Sequence, residues 1–107
     1  MKLENLIEYL SPDKLNELYQ IEGLNKNSEA IIIYMQGSLD LGSEIFFFEI
    51  EETEELVFFK KGEINYTELF PLEYAVELVE SDLDLKNKGK TNLEIAKRLL
   101  EYRIKDA

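Results

Sequence analysis

Glutamate and aspartate are the side chains of this chain with the greatest capacity for chemistry. The 107 residues include 23 acids, whereas cysteine and histidine are both absent. Glu49 and Glu51 lie two positions apart on a predicted strand, which would place both carboxylates on one face for general acid–base work. With so many acids, such pairs also arise by chance, and a solvated acidic strand end explains this pair more simply.

The missing residue types exclude several classes of site. Without cysteine there can be no disulfide and no cysteine-held iron–sulfur cluster. Without histidine the chain also lacks Ser–His and Cys–His nucleophile systems and any His/Cys zinc site. We therefore expect a protein that is not an enzyme and that carries no cofactor.

Two segments resemble ligand-binding loops at only a few positions. Residues 82–84, Asp-Leu-Asp, match the start of a calcium-binding EF-hand loop. Lys86 and Asn87 then occupy the positions where that motif needs an oxygen ligand and a glycine. The lysine-rich stretch 86–90 is similar to a phosphate-binding loop, but it has neither the GxxxxGK[ST] pattern nor a preceding parallel strand. Neither segment predicts a ligand site, and no metal site is expected.

Charge is distributed unevenly along the chain. Residues 1–85 contain 20 acids and 5 bases, a net charge of −15, and residues 86–107 have a net charge of +4. The segment 40–84 alone has a net charge of −12. A solvated face is the simpler interpretation. Yet this charge exceeds what solubility needs and costs stability by self-repulsion, so we interpret it as a field that steers a cationic partner.

The candidate partner-binding residues are acids of the predicted sheet and of the helix that follows it. Five of them fall within the seven residues 49–55, and three others recur at helical spacing after Pro71. The same charge repels phosphate, so we expect no direct binding to nucleic acid or to a membrane. The candidates are Glu49, Glu51, Glu52, Glu54, Glu55, Glu63, Glu73, Glu77 and Glu80.

The apolar spacing predicts an α+β fold in a single domain, residues 1–107. Two N-terminal helices and two C-terminal helices flank a central antiparallel β-meander of about four strands. Residues 91–94, Thr-Asn-Leu-Glu, form a capping box that marks the start of the last helix. The predicted helices cover about 2–10, 12–22, 70–79 and 91–104, the predicted strands cover 30–35, 44–52, 55–61 and 63–66, and residues 81–90 form a helix end and loop.

Both faces of the predicted sheet are apolar over part of their length. An antiparallel sheet with one solvated face should carry polar residues there. Either helices cover both faces, or one face meets a partner through an aromatic patch. The predicted core consists of Phe46, Phe48, Ile50, Leu56 and Phe58 from the strands, and Leu72, Val76, Leu99 and Leu100 from the helices.

The first residues give no sign of export or membrane insertion. They are charged and amphipathic, without the apolar core of a signal peptide. The longest apolar runs, 30–35 and 45–48, fall far short of the roughly 20 residues that a transmembrane helix needs. We expect a cytoplasmic protein that is a monomer or a weak dimer.

The chain resembles the small acidic immunity proteins of bacterial polymorphic toxin and contact-dependent growth inhibition systems. The similarity is one of type, carried by the acidic run 49–55, the helix 72–79 and the capped final helix 91–104. It implies a cytosolic protein that binds a cognate toxin domain, a cationic nuclease in the expected case, and neutralises it.

Two other functions remain open on the sequence. A phage-type nucleic-acid mimic or anti-defence inhibitor would present the same acidic face to a DNA-binding enzyme. A metal-dependent enzyme using only aspartate and glutamate ligands is chemically possible without histidine, and it requires several converging carboxylates.

Overall fold

A four-stranded antiparallel sheet forms the centre of the fold in the computed structural model, which describes residues 1–82, 85 and 89–105. Most of the calcium-loop and lysine-rich segments therefore lies outside the described residues. The elements are α1 (Leu3–Leu6), a 3₁₀ turn (Ile7–Tyr9), α2 (Leu15–Glu22), β1 (Ile31–Gln36), β2 (Ile45–Glu49), α3 (Ile50–Thr53), β3 (Phe58–Lys61), β4 (Ile64–Pro71), α4 (Leu72–Glu77), a π-helical turn (Leu78–Asp82) and α5 (Asn92–Lys105).

The strands are arranged in the order β2-β1-β4-β3. Two antiparallel hairpins, β1–β2 and β3–β4, are joined by the antiparallel pairing of β1 with β4. The predicted α+β class and antiparallel sheet are confirmed, while the strand order differs from that of a meander. A meander needs a tight turn between β2 and β3. Here residues 50–57 separate these strands, which is enough chain to pass the ends of β1 and β4.

The segment between β2 and β3 is helical and strongly acidic. The predicted strand 44–52 ends early, at Glu49, and the single turn of α3 follows it. Glutamate is a poor strand former, and the Ile50 amide still donates to the Ala30 carbonyl oxygen at 2.9 Å, which anchors the turn to the start of β1. Residues 49–55, here called the acidic arch, therefore run along one end of the sheet toward its opposite edge.

Apart from the single turn α3, the described helices cover one face of the sheet. Ile31, Ile33 and Met35 of β1 point into a core built with both N-terminal helical segments, α4, the π-helical turn and α5. Among the described residues, only α3 contacts the other face, so the expected arrangement with helices covering both faces is not adopted there. The predicted helical core residues Leu72, Val76, Leu99 and Leu100 are confirmed in this helix-side core.

The other face carries a cluster of aromatic rings, here called the aromatic cluster: Tyr34, Phe46, Phe48, Phe59 and Tyr66. Phe48 of β2 and Phe59 of β3 belong to opposite edge strands, yet their ring centroids lie 5.2 Å apart. The sheet must curl toward this face for the two edges to meet, and the rings then shield one another. Tyr34 is fully buried, and Phe48 is only 9% exposed.

The prediction that five strand residues pack in the core with the helices is wrong. Phe46 and Phe48 belong to the aromatic cluster, and Ile50 packs against it. Leu56 and Phe58 are exposed. Period-two alternation separates two faces correctly, but with apolar residues on both faces it cannot tell which of them the helices cover.

The predicted start of the last helix agrees with the structure, whereas the second helix begins later than predicted. The Glu94 carboxylate accepts from the Thr91 amide at 3.1 Å, and the Glu94 amide donates to the Thr91 hydroxyl at 3.2 Å, so the predicted capping box is confirmed. The helix α2 begins at Leu15 rather than at position 12. A turn closed by the Ser11 carbonyl and the Leu15 amide precedes it.

Candidate functional site

The edge of the sheet formed by β3 exposes three consecutive apolar side chains. Leu56 is 52% exposed, Val57 43% and Phe58 78%, the highest value among the large apolar residues described. A phenyl ring in water is an unused hydrophobic contact, and aromatic rings are frequent binding anchors. Residues 56–60 are called the open edge below.

The backbone of the open edge also has unused hydrogen-bonding groups. The Val57 carbonyl accepts from the Glu68 amide at 2.8 Å, which makes these two residues a hydrogen-bonded pair. Hydrogen-bonded and non-bonded pairs alternate along an antiparallel ladder. In the observed register, Phe59 therefore bonds inward to β4, while the N–H and C=O groups of Phe58 and Lys60 point away from the sheet.

A groove runs along the open edge on the helix side of the sheet. Its larger part has a volume of about 660 Å³ and is lined by Leu39, Phe58 and Thr67 among others, with Arg103 at one side. A second part of about 430 Å³ continues past Val57 and Arg103 to Tyr74. The wall is mainly apolar, so the groove can hold apolar side chains.

Arg103, Lys60 and Glu68 are the charged residues that line the groove. The Arg103 Nε–H donates to the Leu69 carbonyl oxygen at 3.0 Å, in the stretch of β4 that extends beyond β3. Burial raises the pKa of the Glu68 carboxyl, and the nearby Arg103 charge partly offsets this shift. The arginine therefore closes the end of β4, and the open part of the edge begins at β3.

Three acids of the acidic arch are engaged in contacts that hold the arch in place. Glu51 accepts from the Ser28 hydroxyl at 2.6 Å and from the Glu29 amide at 3.0 Å. These hydrogen bonds lower the pKa of Glu51. Glu52 pairs with Lys61 at 2.6 Å, and Glu49 accepts from the Asn25 side-chain amide at 3.3 Å.

Glu54 and Glu55 are the acids of the arch that remain available to a partner. Their carboxylates make no hydrogen bond or ion pair with any residue that the structure describes, and both side chains are exposed. They also hold left-handed backbone conformations, with φ of 54° and 63°. Such conformations are costly for residues other than glycine and cluster at functional sites. These two acids lie immediately before the open edge.

The remaining predicted acids lie at other places in the fold. Glu63 is exposed in the turn between β3 and β4, next to Gly62, whose φ of 64° suits the first position of a two-residue turn. Glu73 and Glu77 are exposed on α4, and Glu80 is half-buried in the π-helical turn. Glu73 lines a pocket with Tyr19 and Lys26, to which no residue of the acidic arch contributes.

Sequence reasoning missed the open edge and Arg103. The β3 pattern of alternating apolar residues predicted burial, whereas its position at the sheet edge leaves Phe58 uncovered. The pair Lys60–Lys61 was an available signal, because lysines are common on edge strands, where they discourage aggregation.

Among residues 1–81, 85 and 89–105, no three carboxylates lie close enough together to hold one metal ion. Converging carboxylates are the arrangement that a carboxylate-only metalloenzyme requires. In the same described part of the chain, no helix combines the length and the apolar character needed to cross a membrane.

Comparison with protein families, with curated proteins and with solved structures finds no significant match for this chain. Its function must therefore be inferred from its own residues.

Proposed function

We propose that this chain is a cytoplasmic immunity protein that binds a cognate bacterial toxin domain, a cationic nuclease, and neutralises it. Binding alone performs this function, with no catalytic residue and no cofactor. The observation that carries the proposal is the 78% exposure of Phe58 a few residues after the exposed Glu54 and Glu55, whose carboxylates pair with no described residue. An aromatic anchor beside charged groups has the composition of a protein-binding hot spot and its rim.

The charge of the chain supports a cationic partner. A net charge of −11 repels nucleic acid and attracts the basic clefts with which nucleases hold phosphate. Opposite charges accelerate the encounter, and an apolar anchor then slows dissociation. We assign the steering to Glu54, Glu55 and Glu63, which are exposed, and the anchoring to Phe58.

The contacts of the acidic arch decide which acids can be replaced to test binding without disturbing the fold. Replacing Glu51 would remove the carboxylate that binds Ser28 and Glu29, so loss of binding could reflect loss of the arch. Replacing Glu54 and Glu55 with Gln removes charge without breaking an ion pair of the described chain. The exposed Glu17 and Glu22 of α2 offer a control pair of the same type.

The deciding experiment is co-expression with the product of the adjacent gene. We expect that product to stop growth when expressed alone, and this chain to restore growth and form a stoichiometric complex with it. Phe58→Ser should weaken the complex by about tenfold or more. Ile21→Ser, a control at an equally apolar residue that is 58% exposed on α2, should leave it unchanged. A harmless neighbour, or growth arrest that this chain does not relieve, would refute the proposal.

A nucleic-acid mimic would respond differently to these variants. Mimicry of phosphate depends on carboxylates, so Glu54→Gln with Glu55→Gln would weaken binding while Phe58→Ser would not. That outcome would favour the phage-type inhibitor over the immunity protein.

A further inference from the structure

We infer that the partner binds by strand addition: an extended, basic segment of it pairs with β3 and continues the sheet beyond its open edge. This inference rests on the proposed function and specifies the element that the partner contributes. Three features of the open edge support it: its backbone, the groove beside it and the charges at its ends.

The backbone of β3 provides a template for a fifth strand. Phe58 and Lys60 each direct one N–H and one C=O away from β4, as the alternation of the ladder requires. No hydrogen bond from a described side chain reaches these groups. Unpaired groups in a row are the feature through which edge strands recruit another chain.

The groove provides for the side chains of such a strand. Phe58 pairs with Thr67, and both line the larger part of the groove, so a strand beside β3 would direct every second side chain toward it. The groove wall of Leu39, Val57 and Phe58 fits apolar side chains. The added segment should therefore alternate apolar residues with residues of another kind.

The charges around the open edge indicate that the residues alternating with the apolar ones are basic. The same charges argue against a second copy of this chain as the partner. Glu54 and Glu55 precede the open edge, and Glu63 follows it in the turn, so lysine or arginine on the added strand would face carboxylates at both ends. A second copy would bring another net charge of −11 and would set its own acidic ends, with Glu54, Glu55 and Glu63, against those of the first. A basic segment of a different protein brings no such carboxylates, and its lysine or arginine side chains suit the acidic ends of the edge rather than Lys60 and Lys61.

The inference can be tested on the full chain with a synthetic probe. The probe is a capped peptide of alternating lysine and valine, about seven residues long, the length of an ordinary strand. Titrated into the ¹⁵N-labelled protein, it should shift the amide signals of the open edge and groove. It should also slow hydrogen exchange of the Phe58 and Lys60 amides by more than tenfold at saturation. The matching glutamate–valine peptide should not bind.

Two changes separate strand addition from simple charge attraction. Lys60→Pro removes an outward N–H without removing a bond to β4, a position at which edge strands tolerate proline. It should weaken binding of the lysine–valine peptide at least tenfold. N-methylation of alternate peptide residues should do the same with the protein unaltered, so the test stands even if the proline variant fails to fold. Binding that survives N-methylation, or that leaves both amides exchanging at their original rates, would overturn the inference.

The two proposals fail separately. If the neighbouring protein is neutralised by the wild type and by Lys60→Pro alike, the immunity function stands and strand addition is wrong. If the peptide protects the edge but the neighbouring protein is neither toxic nor bound, the edge binds strands and the immunity function is wrong.

Discussion

The two edges of the sheet are treated differently by the same chain. At the β2 edge, the Met1 carbonyl accepts from the Ile45 amide at 2.8 Å, and the terminal ammonium and Lys2 both pair with Glu44, at 3.1 and 2.6 Å. At the β3 edge, the outward backbone groups and Phe58 are left uncovered. These contacts cover only the start of the β2 edge, because the Phe47 backbone groups also point outward in this register, whereas the described chain places no cover on the β3 edge. Since unprotected edges invite aggregation, the wholly uncovered edge indicates a use.

On the face of the aromatic cluster, side chains from the two edge strands lie together rather than apart. Phe48 of β2 and Phe59 of β3 contact each other and Tyr66 in the aromatic cluster. The curl that joins them is required for burial of this face, which none of the longer helices in the described part of the chain covers. The edges therefore differ in what they present outward, while their inward residues form one cluster.

The largest expected effect comes from breaking that shared cluster. Phe48→Ala should lower the free energy of unfolding by about 3–5 kcal/mol, because a buried ring is replaced by a cavity. Urea denaturation of both variants measures this. Phe58→Ala, on the same sheet but exposed, should change stability by less than about 0.5 kcal/mol. Equal losses in the two variants would show that Phe58 is buried and that the edge is closed.

A smaller effect is expected at the link between the aromatic cluster and the open edge. The Tyr34 hydroxyl donates to the Leu56 carbonyl at 2.6 Å, and the buried Thr53 hydroxyl lies beside it. Tyr34→Phe should cost about 1–2 kcal/mol by leaving that carbonyl unpaired. It should also speed hydrogen exchange in residues 54–58. A loss of stability without faster exchange in this segment would show that Tyr34 does not position the open edge.

At the β2 edge, stability should depend on the ionised form of Glu44. Lys2 and the terminal ammonium hold the pKa of Glu44 below its ordinary value of 4.5. A lowered folded pKa means that the contribution is present above pH 4.5 and is lost as pH falls through the folded value. Glu44→Gln should therefore be less stable than wild type near pH 7, and the two proteins should converge in acid. A pH-independent difference would contradict the ion pairs.

At Glu68, on β4 beside the open edge, loss of the charge should have the opposite effect on stability. Burial raises the pKa of Glu68 above 4.5, so its charged form is penalised in the folded state at neutral pH. Glu68→Gln should be slightly more stable than wild type at pH 7. The advantage should shrink as pH falls through the raised pKa and vanish below 4.5. Thermal unfolding across pH 3–7 tests this, and destabilisation at pH 7 would show that the Arg103 charge outweighs burial.

Much of the fold was predictable from local patterns. The strand β1, the helix after Pro71 and the capped helix α5 follow from apolar spacing and capping residues, which act within a few positions of each other. The acidic run 49–55 was also identified as a surface feature. Local pattern does not show which of these acids hold the arch in place and which remain available to a partner. The residues that bind the holding acids, Ser28, Glu29 and Lys61, are distant from them in the chain or lie on another strand.

The sequence by itself determined the charge, the absence of histidine and cysteine chemistry, and the α+β class, since these depend on composition and on short-range periodicity. Only the tertiary structure decided which face of the sheet the helices cover, which edge remains open and that Phe58 is exposed. The physical reason is that both faces of these strands are apolar, so local pattern is equally satisfied by either arrangement. The choice depends on strand order and sheet curvature, which arise from pairings between distant segments.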